Sequence, residues 1–166
     1  PDLDVFTDIN VSAEYFVEMI KRQAIVNAGV TFIFRNQNGK EFEEQRFNYV
    51  NGITDHVQEI VGEDGLTAVQ SWSAEKMARD RQDKPEYKTK INIAFAFSNR
   101  VSLTEYYHNS SWLEYGGAPD KAVRNAFKYN INQYLKTNNK YNKNESQIKD
   151  EDVLDCLFAV VSSLIP

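Results

Sequence analysis

Two histidines, His56 and His108, and one cysteine, Cys156, are all the imidazole and thiol chemistry this chain offers. They fall in different predicted elements and make no zinc pattern, which needs about four such ligands at defined spacing. Both histidines read as polar surface or edge residues, and Cys156, between Leu154 and Leu157, as a core thiol. Asp150, Glu151, Asp152 and Asp155 lack the alternating ligands and central glycine of a calcium loop; they read as a helix start matched to the helix dipole. Glu114 has no partner carboxylate at a defined spacing. No glycine-rich phosphate loop of either common kind is present, and Gly116-Gly117 alone reads as a turn leading into a helix. What remains is basic. Lys76, Arg79, Arg81, Lys84, Lys88 and Lys90 are interleaved with Glu75, Asp80, Asp83 and Glu86. Such a loop suits either a solvated turn or contact with a DNA phosphate backbone, which makes Arg79, Arg81 and Lys84 candidate DNA contacts. The Asn- and Lys-rich stretch 136–149 has the same two readings. No residue can be assigned as catalytic, cofactor-binding or metal-ligating.

The elements that would carry these residues follow from patterning. The chain has 166 residues, 42% of them hydrophobic and 13% aromatic, with a net charge of −5. That supports a packed core and argues against disorder and against a strongly basic nucleic-acid footprint. A single cysteine excludes an internal disulfide framework and fits a reducing, cytoplasmic setting. No apolar run approaches the roughly 20 residues that span a bilayer, so no membrane partner is expected. The first residue, Pro1, and the last three, Leu164-Ile165-Pro166, look like cuts from a longer protein.

Residues 12–27 form a predicted helix capped by Ser12, with Phe16, Met19, Ile20, Gln23 and Ala24 at helical spacing. Thr31–Arg35 and Glu41–Tyr49 read as a hairpin turning at Asn38-Gly39. Gly52 leads into a short helix with Ile53, Val57, Ile60 and Val61 on one side. Leu66–Met77 reads as a strand. Ile91, Ile93, Phe95 and Phe97 alternate with Asn92, Ala94 and Ala96, the period of a half-buried strand. Ser98-Asn99-Arg100 then turns the chain back into 101–108, which predicts an antiparallel meander. Pro119 and Asp120 suit a first helical turn, and the pairs Ala122/Val123, Ala126/Phe127, Asn130/Ile131 and Tyr134/Leu135 draw one apolar stripe. A short helix through Leu157 and a final strand, Phe158–Ile165, complete the chain. The predicted class is α+β: a small, mostly antiparallel sheet with helices packed on one face.

Several segments, in order along the chain, resemble the B subunit of bacterial DNA gyrase, the ATPase subunit of type IIA topoisomerases, where its ATPase and transducer domains join. They are Pro1-Asp2 with Val5-Phe6, the helix end Gln23–Val30, Phe47-Asn48-Tyr49-Val50-Asn51-Gly52-Ile53, the Asn109–Gly117 loop, and Glu151–Ser162. One departure stands out. The family commonly has Glu-Gly-Gly-Thr-His where this chain has Tyr115-Gly116-Gly117-Ala118-Pro119, and gyrase and topoisomerase IV-like relatives both stay open.

The resemblance implies that residues 1–48 are the last helix and hairpin of a GHKL-type ATPase domain. It implies that residues 49–166 are a transducer domain similar to the second domain of ribosomal protein S5. The expected function is to couple ATP binding and hydrolysis to DNA gate movement and strand passage in an ATP-hydrolysing type II topoisomerase, with the chain itself inactive. ATP and Mg2+ would belong to the full protein, the partners being DNA, the gyrase A subunit and a second gyrase B protomer. The catalytic Gln-Thr-Lys loop is expected just after Pro166. Tyr49 and Gly52 are hinge candidates, and Gly116 and Gly117 loop candidates. The alternatives are an S5-like nucleic-acid-binding module, or the middle domain of a related chaperone or mismatch-repair ATPase.

Overall fold

The computed structural model describes residues 2–5, 7–8 and 10–165. Pro1 and Phe6 of the N-terminal resemblance, and Pro166, lie outside the described residues. The chain divides into two compact units, residues 1–52 and 53–166.

In the first unit, helix α1 spans Ala13–Val26, and the Ser12 hydroxyl accepts the Tyr15 N–H at 3.3 Å, satisfying one of the free donors at the helix start. Strands β1 (Thr31–Asn38) and β2 (Glu41–Asn48) pair antiparallel. Asn38 lies opposite Glu41, so the two-residue loop is Gly39-Lys40, one position later than the sequence suggests. Gly39, at φ 63°, takes the first loop position that a type II′ turn reserves for glycine. Helix α1 packs on this hairpin; Ala24 and Ile25 are buried, and Phe16 stacks on Phe34 with ring centroids 6.2 Å apart.

The second unit runs α2 (Ile53–Val61), β3 (Gln70–Ala78), β4 (Tyr87–Phe97), β5 (Leu103–His108), β6 (Ser111–Trp112), α3 (Gly117–Thr137), α4 (Asp150–Leu154) and β7 (Leu157–Leu164). The five strands lie in the order β3-β4-β7-β5-β6. The last strand therefore enters the middle, antiparallel to β4 and parallel to β5, and the expected meander does not form. Two features explain this. Leu157 to Ser162 are all buried, the pattern of a strand covered on both faces and suited to the centre. And Ser98 is fastened to the start of β7. Its N–H donates to the Cys156 carbonyl at 2.7 Å, while its hydroxyl accepts from the Arg100 and Val101 amides. The turn thus leads β5 past β7 instead of back along β4.

The class is α+β with a mostly antiparallel sheet, as patterning indicates. The layering goes further. On one face α3 and α4 cover Tyr106, Leu157, Ala159 and Val161, with Phe127 packed against both groups. Register places Phe158, Val160, Ala94 and Ala96 on the opposite face, and α2 packs there on β4 and β7. The helices therefore lie on both faces. Alternation makes Ala94 and Ala96 read as the outward face of β4; their smallness instead lets a helix approach closely, and both are completely buried. The stripe on α3 also divides. Val123, Phe127 and Ile131 face the core, whereas Ala122, Ala126 and Tyr134 line apolar grooves. The larger groove, about 620 Å³, is completed by Trp72, Ile91 and Ile93.

Candidate functional site

Tyr49 and Gly52 bound a tight turn at the end of the first unit. The Tyr49 carbonyl accepts two N–H groups, from Gly29 at 2.9 Å and from Gly52 at 3.0 Å. Gly52 sits at φ 58°, and a Cβ there would stand 3.1 Å from the Ala28 Cβ and 3.2 Å from the Ile25 carbonyl oxygen. Only glycine combines that backbone with that close approach. The turn is tightly built, and α2 starts at the next residue.

Gly116 and Gly117 lead into α3 at φ 67° and 65°. A Cβ on Gly116 would meet the Asp120 Cβ at 2.8 Å and the Tyr106 ring at 3.3 Å, whereas Gly117 has only Pro119 near, at 3.9 Å. Asp120 explains the crowding. One of its oxygens accepts the Tyr106 hydroxyl at 3.0 Å, and the other pairs with the Arg124 Nε at 2.7 Å. Burial pushes the Tyr106 phenol up to about 12; a Thr104 hydrogen bond pulls it down and the Asp120 carboxylate adds to the rise. The phenol stays protonated as a donor. Sequence patterning places Asp120 at a dipole-matched helix start but carries no sign that β5 brings Tyr106 beneath it.

Asn109 is a second residue whose role is visible only in three dimensions. Asn109-Ser110 forms the β5–β6 loop with both residues at positive φ, the geometry of a type I′ hairpin turn. From there the Asn109 side-chain oxygen accepts the Ile165 N–H at 2.8 Å, and its own backbone N–H donates to the Ser163 carbonyl at 2.8 Å. His108 Nδ1 lies 2.9 Å from the Ser163 hydroxyl. The end of β7 is held by the Asn-rich loop.

Arg79, Arg81 and Lys84 lie together in the exposed loop joining β3 to β4. Arg79 pairs with Glu86 at 2.8 Å, and Arg81 lies 3.7 Å from Asp83. Tyr87 donates to Asp80 at 2.6 Å. Arg79 and Arg81 thus sit beside carboxylates of the same loop, which an incoming phosphate would have to displace.

His56 departs from its surface reading. It is buried at 5% exposure on the inner side of α2, with its ring 6.2 Å from that of Phe158. Its Nε2 lies 3.4 Å from Glu105 of β5, whose other oxygen accepts the Tyr107 hydroxyl at 3.0 Å. Cys156 is half-buried with its thiol directed at the Val153 carbonyl, and burial, then Asp155, pushes it up.

Among solved structures, the fold is similar over the whole chain to the 43K ATPase domain of Thermus thermophilus gyrase B, with a TM-score of 0.69 at 21% identity, covering 43% of that chain. It is also similar to the gyrase B protein of Myxococcus xanthus, with a TM-score of 0.73 at 13% identity and 43% of that chain covered. The architecture is thus one shared with gyrase B proteins. The family model for DNA gyrase B matches residues 52–166, and the chain belongs to that family. Over 98% of its length it is 22% identical to the DNA gyrase B protein of Mycoplasmoides gallisepticum, and over 100% it is 23% identical to the B component of DNA topoisomerase 4 from Enterococcus faecalis. The chain spans about a quarter of these relatives, 26% and 23% respectively. Membership of this family displaces the S5-like nucleic-acid module and the chaperone or mismatch-repair middle domain as readings.

Proposed function

We propose that this chain is the motion-transmitting part of the gyrase B-type component of an ATP-hydrolysing type II topoisomerase, itself non-catalytic. In that reading residues 1–48 close an ATPase domain, residues 49–166 form the transducer, and Tyr49 to Gly52 is the joint. Cytoplasmic residence, DNA, a gyrase A-type subunit and a second gyrase B-type protomer as partners come with the reading. The observation that carries it is the position of β7. This strand is paired on both sides and buried on both faces, and its end is held by Asn109. Any segment attached to that end moves with the whole sheet.

Among the described residues no three His, Cys, Asp or Glu side chains gather where they could hold a metal ion. The proposed role is mechanical and routes no step through a nucleotide or magnesium. A ligand elsewhere in the subunit has leverage on the sheet only through contacts it makes better in one arrangement than in the other. Arg79, Arg81 and Lys84 belong to the same proposal as DNA contacts at the end of a hairpin. Their share should appear as a smaller salt dependence of DNA binding when all three are replaced by glutamine.

The joint is tested in the full-length subunit assembled with its partner. Gly52→Ala forces a Cβ against Ala28 and Ile25 at a positive φ. Strand passage should fall several-fold more than ATP hydrolysis. A proportional fall of both activities would sink the joint. The isolated chain should bind ATP no more tightly than millimolar by calorimetry, and micromolar affinity would contradict a non-catalytic role.

A further inference from the structure

Helix α2 rests on a largely apolar surface. Its buried residues Ile53, Val57 and Val61 face a sheet whose neighbouring positions are Ala94, Ala96, Phe158 and Val160. Each apolar contact of this kind is non-directional, so register along the helix axis rests on shape fit and on whatever polar link crosses the interface. A polar link crosses these contacts. His56 reaches Glu105 at 3.4 Å, and Glu105 is held in turn by the Tyr107 hydroxyl at 3.0 Å, with Tyr107 only 1% exposed. A second carboxylate, Glu59 on the helix itself, lies 3.8 Å from the other ring nitrogen. A slip of α2 by one helical turn, about 5.4 Å, would carry His56 away from Glu105 and leave polar groups facing Phe158 and Val160. A buried polar pair contributes little net stability, and its best-attested use is to specify one register among several.

We propose that His56, Glu105 and Tyr107 form a latch that fixes α2 in one register on the sheet, and that displacement of β5 and β7 reaches α2 through it. The transmission half rests on the function proposed above, because α2 follows directly on the Gly52 joint. The register half does not. It requires only that the link, and not the apolar surface, holds the helix in place.

The experiment uses the full-length subunit with its partner. His56→Phe keeps a ring of similar size beside Phe158 and removes the link; Glu105→Gln removes its charge and keeps its shape. Amide exchange in residues 57–61 should quicken at least tenfold in His56→Phe, with β4 and β7 unchanged, and less in Glu105→Gln. The double variant should exchange no faster than His56→Phe, since both substitutions break one link. Unchanged exchange in both single variants, or effects that multiply in the double, would overturn the latch. Strand passage events per ATP should fall at least threefold in His56→Phe. A loosened α2 with that ratio unchanged would overturn transmission. If His56→Phe does not fold, Glu105→Gln alone carries both readouts. A wild-type subunit with no ATP-driven strand passage would instead overturn the proposed function, and amide exchange would still test the register.

Discussion

The two faces of the five-stranded sheet are built on opposite plans. On the α2 face the strands offer small or β-branched residues, Ala94, Ala96 and Val160, around two large rings, Phe158 and Tyr107, and all five are buried with at most a trace of exposure. On the α3 face β4 offers Ile91, Ile93, Phe95 and Phe97, which are only partly buried although they are larger, while Tyr106, Leu157, Ala159 and Val161 beside them are buried. Bulk does not close an interface; fit does. Alanines let a nine-residue helix sit close enough to seal its side, whereas the big side chains opposite hold the 21-residue α3 on one half of the sheet. They leave Trp72, at 54% exposure, bordering an open groove. Close packing makes a face intolerant of change in either direction.

Phe158→Ala should produce the largest effect. The side chain is wholly buried in the closed face, beneath α2 and beside His56. Its removal should cost about 3–5 kcal/mol, read as a lower urea midpoint for residues 53–166. Phe95→Ala, on the open face, should cost clearly less, because the cavity it leaves already opens to the groove. Equal losses at the two positions would erase the distinction between the faces.

Overpacking the closed face comes next. Ala96→Leu adds three carbons where no exposure remains, and it should destabilise by about 1–3 kcal/mol while speeding amide exchange in α2. A smaller loss belongs to the junction between β5 and α3. Tyr106→Phe removes the hydroxyl that donates to Asp120 at 3.0 Å but leaves Arg124 on the same carboxylate. The cost should be about 1 kcal/mol by chemical denaturation. A loss above about 3 kcal/mol would mean that Arg124 does not compensate Asp120 as its 2.7 Å contact implies.

This contrast also marks what the sequence can reveal. Local signals are legible because their causes are local. Ser12 caps α1, the Asn-Gly signal places a hairpin within one residue, and the Ile–Phe alternation marks β4. Membership of the gyrase B family is legible too, carried by ordered short segments such as Phe47–Ile53. Pairing between distant segments is not. The insertion of β7 between β4 and β5 depends on Ser98 bonding Cys156, 58 residues away in sequence. Likewise Ala94 and Ala96 look outward by alternation until α2 is known to cover them. His56 reads as surface because a histidine on an amphipathic helix has no sequence mark of the glutamate it meets 49 residues later. Asn109 fits a family loop, but its grip on Ile165 needs the fold.

The smallest expected effect is the most diagnostic, because its sign separates the faces. Ala126 lies on the exposed side of α3 and lines both grooves. Ala126→Leu adds the same three carbons as Ala96→Leu and hardly alters helix propensity. In the groove those carbons meet Trp72 and Phe127 without displacing a neighbour. They can cover apolar surface that water now reaches, and the new side chain loses some rotamer freedom in return. The net change should lie within about 0.5 kcal/mol of zero. Urea unfolding of the two alanine variants side by side reads the comparison directly. A penalty at residue 126 near that at residue 96 would mean that the groove is filled in solution. Both faces of the sheet would then be closed, and the small side chains over α2 would no longer distinguish one from the other.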